Sequence, residues 1–81
     1  MRRFIEIIKE QTEAQIANGE PQEQIRVEVA DETGPEILDR IAVLRAGAGW
    51  TAENSSARLH ICRHVDMPPQ PCELIPEDEI A

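Results

Sequence analysis

The stretch Ile25-Arg26-Val27-Glu28-Val29-Ala30-Asp31-Glu32-Thr33-Gly34-Pro35-Glu36-Ile37-Leu38-Asp39-Arg40-Ile41 changes hydrophobic period partway along. Over Ile25–Val29 apolar and charged residues alternate strictly, so a strand here has one buried face and one wet face. From Ile37 onward the apolar residues Ile37, Leu38, Ile41 and Leu44 fall on one helical stripe with Arg45. Thr33 and Glu36 have capping-box spacing, and Pro35 suits a first helical turn. Gly47 and Gly49 mark the helix end. A strand running directly into a capped helix sets the class as α+β.

Upstream, Arg2–Ala17 can be read in two ways. Phe4, Ile5, Ile8, Thr12, Gln15 and Ile16 lie near the spacing of an amphipathic helix, and Arg2–Glu6 and Lys9–Glu13 are spaced for weak i,i+4 pairs. Asn18-Gly19 followed by Pro21 is a helix stop. The competing reading is a strand over Arg3–Lys9, where Ile5 and Ile7 alternate. The sequence favours the helix. Downstream, Thr51 can cap a short helical piece through Ser55. Residues 57–65 are also ambiguous, with the strand preferred: it sets Leu59, Ile61 and Val65 on one face.

After Asp66 the character changes. Met67-Pro68-Pro69-Gln70-Pro71 reads as extended polyproline II, a stiff spacer, and Pro76 onward as a frayed acidic tail. Cys72–Ile75 can pair briefly at a sheet edge. The expected organisation is therefore a small single α+β domain over residues 1–66, ordered helix, strand, helix, strand. An extended, Pro-rich and acidic segment over 67–81 follows. The expected core is Phe4, Ile5, Ile8, Ile16, Ile25, Val27, Val29, Ile37, Leu38, Ile41, Leu44, Leu59, Ile61 and Val65.

Eighty-one residues leave room for one domain. Ten Ile and four Leu stand against one Phe, one Trp and no Tyr. A core without aromatics is thin, and chains of this size often add a disulfide, a metal or a partner subunit. Sixteen acids against eight bases give a net charge of −8, which argues against direct nucleic-acid binding. No apolar run approaches the roughly 20 residues that span a bilayer. Glu6, Lys9 and Glu10 interrupt any signal-peptide core, so a cytoplasmic setting is expected, where permanent disulfides are rare.

One constellation carries chemistry. His60 and His64 share a face on either a helix or a strand, and Cys62 joins them only on a strand. A turn through the prolines can return Cys72. Imidazole and thiolate together suit Zn²⁺, although paired CxxC elements are absent. The bland alternative is a solvated face with two surface histidines and a small buried Cys62. A Cys62–Cys72 bridge is a further option.

Two functions are expected in turn. The first is a small acidic protein-interaction module, a regulator, inhibitor or assembly factor. It would act on another protein with a basic surface, in one version by imitating a phosphate backbone, and use no cofactor. Its candidate residues are Glu6, Glu10 and Glu13 on a wet helix face, and Leu74, Ile75, Glu77, Asp78 and Glu79 near the end. Two strands are too few to stand alone, so a homodimer is expected as well. The second is a zinc module using His60, Cys62, His64 and Cys72. A Cys/His nucleophile comes third, because so short a chain has little interior for a catalytic pocket, and the chain is not expected to be an enzyme.

Overall fold

The computed structural model describes residues 2–62 and 72–80. Four strands and two α-helices follow in the order β1 (Arg2–Lys9), α1 (Glu13–Ala17), β2 (Gln24–Val29), α2 (Gly34–Ala48), β3 (Ser55–Cys62) and β4 (Glu73–Pro76), with a 3₁₀ turn at Glu77–Glu79. The strands form one sheet, ordered β2-β1-β3-β4, in which every neighbouring pair is antiparallel. This agrees with the α+β class. Among the described residues no helix is long and apolar enough to cross a membrane.

The first element corrects the sequence reading. Residues Arg2–Lys9 are a strand, and only Glu13–Ala17 form a helix. The period decides which isoleucines are buried. A helix would bury Ile5 and Ile8, whereas the strand buries Ile5 and Ile7 completely and turns Ile8 to the other face. Three isoleucines in four positions fit a β-branched central strand better than a helix. β1 is flanked on both sides, by β2 and β3. The helical signal further on was real but short. Thr12 caps α1 through a full capping box with Gln15, and five residues are too few to bury anything, so Ile16 is exposed.

The second helix follows its sequence signals closely. Thr33 and Glu36 close a capping box, a proline stands in the first turn, and Gly49 ends the helix in the left-handed conformation at φ 74°. That φ is open to glycine at little cost. Ile37, Ile41 and Arg45, spaced by four, are its buried row. They cover the sheet face made by Ile5, Ile7, Val29, Ala57, Leu59 and Ile61, with Leu38, Leu44, Trp50, Ile25 and Ile75 packed at the margin. Val27 is only half-buried. Thr51 and Asn54 hydrogen-bond reciprocally around a turn into β3, so no helical piece forms there.

The edge pairing expected near Cys72–Ile75 is present, but Glu77–Ile80 is not a frayed tail. β4 pairs with β3, matching Leu59 to Ile75 and His60 to Leu74, and Ile80 is buried in the core. Arg45 holds this corner together. Its buried guanidinium donates to Ser55 Oγ at 2.9 Å, to the Ser55 carbonyl at 3.1 Å and to Glu77 at 2.7 Å. A buried charge is tolerated when paired and hydrogen-bonded in this way. Val65, His64 and the Met67–Pro71 spacer lie outside the described residues.

Candidate metal centre

Strand alternation puts Arg2, Phe4, Glu6 and Ile8 of β1 on the face opposite α2. The pairing register then sets the neighbours. Glu6 stands between Arg26 of β2 and Arg58 of β3, and Phe4 between Glu28 and His60. Side chains directly opposite one another in a sheet meet, and here they form a polar cluster around one carboxylate.

Glu6 is largely buried and receives three partners. Arg58 Nε lies 2.8 Å from Oε1, His60 Nδ1 3.0 Å from Oε2, and Arg26 Nε 3.4 Å from Oε2. Burial opposes its negative charge, but hydrogen bonds from His60 and Arg58 outweigh this and leave the carboxyl below its ordinary pKa. Phe4 floors the cluster. Its ring meets the His60 ring edge-on at 6.2 Å, and the guanidiniums of Arg26 and Arg2 lie 4.2 and 5.0 Å from its centroid.

Glu6 also orients the imidazole. In the neutral ring, the Nδ1 proton goes to the carboxylate and Nε2 keeps its lone pair. Nε2 faces Cys62 Sγ at 3.3 Å, and Cys62 Sγ lies 3.7 Å from Cys72 Sγ. Cys62 shares the His60 face because it is two residues further along β3, and Cys72 immediately precedes β4. The ligand atoms of His60, Cys62 and Cys72 all lie within 4.8 Å of one another. No disulfide joins the cysteines. Partial burial raises the pKa of the Cys72 thiol, and Cys62 adds to the shift while Arg26 works against it.

Three of the four residues expected as zinc ligands are thus brought together. His64, the fourth, lies outside the described residues. The acidic row is not brought together. Glu6 belongs to the cluster on β1, whereas Glu10 precedes the short helix and Glu13 opens it, so the three share no helix face. Near the end, Leu74 is exposed, Ile75 is half-buried, Glu77 is held by Arg45, and Asp78 and Glu79 are exposed. Sequence reading missed Glu6 as the partner of His60 and missed Arg26 and Arg58 beside it. Their even spacing was visible, but the pairing of β1 with β3 across more than fifty residues was not.

Comparison with known protein families, with curated proteins and with solved structures finds no match.

Proposed function

We propose that this chain is a small zinc-binding module, with His60, Cys62 and Cys72 as ligands and Glu6 as the carboxylate that orients His60. The observation that carries the reading is the spacing of the ligand atoms. Zn–S bonds of about 2.3 Å and Zn–N bonds of about 2.0–2.1 Å, at tetrahedral angles, require S···S near 3.8 Å and S···N near 3.5 Å. The distances here are 3.7 and 3.3 Å. A carboxylate on the far nitrogen of a ligating histidine is the usual outer partner of such a site. The cluster also suits the charge. Arg26, which pairs with Glu6, acts on the Cys72 thiol in the direction that favours the thiolate, the form that binds metal. A nucleophile reading of Glu6–His60–Cys62 is less favoured, because it leaves the second sulfur, 3.7 Å from the first, without a role.

The test is zinc stoichiometry by native mass spectrometry, with affinity from competition against a chromophoric chelator. One zinc per chain is expected. Cys62→Ser, Cys72→Ser and His60→Ala should each abolish tight binding, and Glu6→Gln should weaken it by about 10–100-fold. Equal zinc affinity in Cys62→Ser and the parent chain would sink the reading. His64→Ala asks whether residue 64 supplies the fourth ligand: weaker binding assigns it that place, and unchanged binding removes it from the ligand set.

The acidic interaction module remains a second reading, favoured by one observation. Leu74 is exposed on β4 at the sheet edge, close in sequence to exposed Asp78 and Glu79. A partner with a basic surface, or a second copy pairing at an edge strand, would use this side. Reversing Asp78 and Glu79 to Lys should abolish capture of such a partner while leaving zinc content unchanged.

A further inference from the structure

We infer that the zinc centre is also a redox switch: a hydroperoxide converts Cys62 and Cys72 into an internal disulfide and discharges the metal. This rests on the zinc reading above and adds to it a regulation of the same two sulfurs. The observation is their juxtaposition. The sulfurs are 3.7 Å apart and both half-buried, at the end of β3 and just before β4. A bond between the two sulfurs leaves the sheet in place, since β3 and β4 are already paired from Arg58↔Pro76 to Ile61↔Glu73.

Disulfide formation removes two ligands out of His60, Cys62 and Cys72. A lone imidazole holds zinc poorly, so the metal leaves. The chemistry balances with one hydroperoxide per site. One thiolate attacks the peroxide, the O–O bond breaks, a sulfenic acid forms and hydroxide leaves. The second thiolate attacks that sulfur, the S–S bond forms and a second hydroxide leaves. With hydrogen peroxide the sum is the zinc dithiolate plus H₂O₂ plus two protons, giving disulfide, Zn²⁺ and two waters. The two sulfurs are oxidised and the two peroxide oxygens are reduced. A thiol reductant reverses the sulfur chemistry and restores the ligands.

The two states differ in one specific way. In both, residue 62 stays tied to residue 72, first through the metal and then covalently, so β4 keeps its anchor. What changes is His60, which loses its metal and keeps its hydrogen bond to Glu6. The switch therefore alters the polar face of the sheet and leaves the α2-covered core in place.

The experiment uses the zinc-loaded full chain and hydrogen peroxide. Intact mass under denaturing conditions reports the disulfide, and a chromophoric chelator reports released zinc. The expected result is loss of two hydrogens with release of one zinc per disulfide, both reversed by dithiothreitol. Zinc release accompanied by added oxygen rather than by loss of two hydrogens overturns the switch. So does a disulfide that retains zinc, or one that links two chains. His60→Ala separates the two claims. It should load no zinc, and intact mass after peroxide should still show the loss of two hydrogens, whatever the rate. A parent chain that never loads zinc but closes the disulfide overturns the zinc reading, and with it the discharge. A parent that loads zinc and forms no disulfide overturns only the switch.

Discussion

The two faces of the sheet are built from the same strands on opposite principles. The face under α2 is dry: Ile5, Ile7, Leu59 and Ile61 interlock with Ile37 and Ile41, and shape complementarity sets its energy. The other face holds Glu6, Arg26, Arg58, His60, Cys62 and Phe4, and directional contacts set its energy. Alternation along each strand makes both faces at once, so one residue's shift in register would exchange them. Apolar burial is concentrated on the first face and ionisable groups on the second.

The sharpest test of that division is a pair of neighbours. Ile7→Ala should cost about 2–5 kcal/mol, as expected for a fully buried isoleucine whose cavity cannot collapse, whereas the half-buried Ile8→Ala should cost well under that. Urea denaturation of the metal-free protein would measure both, and equal losses would break the comparison. Next in size is zinc. At a free concentration 100 times the dissociation constant, binding should stabilise by about 2.7 kcal/mol, which is a rise of roughly 10–20 °C in melting temperature for a chain this short. Chelation should remove the rise from the parent chain and leave Cys62→Ser unmoved.

Of similar or smaller size is Arg45→Ala, which removes hydrogen bonds to Ser55 and Glu77 at the buried corner and should cost about 2–3 kcal/mol in the same urea experiment, without altering zinc affinity. The smallest effect concerns acid. Glu28 lies below its ordinary pKa, chiefly through its hydrogen bond to Arg2, and Glu32 does so chiefly through backbone hydrogen bonds. A carboxyl held low favours the fold above the ordinary carboxylate range and gives this up as pH falls through its folded value. Both groups are exposed, so screening keeps the effect small. Glu28→Gln should move the acid-unfolding midpoint by no more than roughly a few tenths of a pH unit.

Much of the fold was legible because its signals were local. The alternation of Ile25–Val29, the Thr33–Glu36 box, Pro35 and Gly49 act within a turn of where they stand, and each appears in the structure. Arg2–Lys9 was misread because Phe4, Ile5 and Ile8 satisfy a helical template as well as Ile5 and Ile7 satisfy a strand. What decides between them is burial on both sides by β2 and β3, a tertiary fact. Ile80 and the Arg45–Glu77 pair were invisible for the same reason. The candidate site was legible in part: His60 and Cys62 share a strand face by alternation alone. Glu6 was assigned to a wet helix face, because its partners enter only through pairing with distant segments.

The position of β1 has a consequence for how the chain is made. It is a central strand, yet its contact with β3 joins distant residues, as from Glu6 to Arg58, which are 52 positions apart. At about 5–20 residues per second of synthesis, β1 emerges some seconds before β3 exists to receive it. In that interval β2 can cover one edge of this isoleucine-rich segment, but the edge meant for β3 stays open, and such an edge can pair with other nascent chains. Glu6 within it and Lys9 and Glu10 just behind it then act as gatekeepers, keeping the segment charged until its partner arrives.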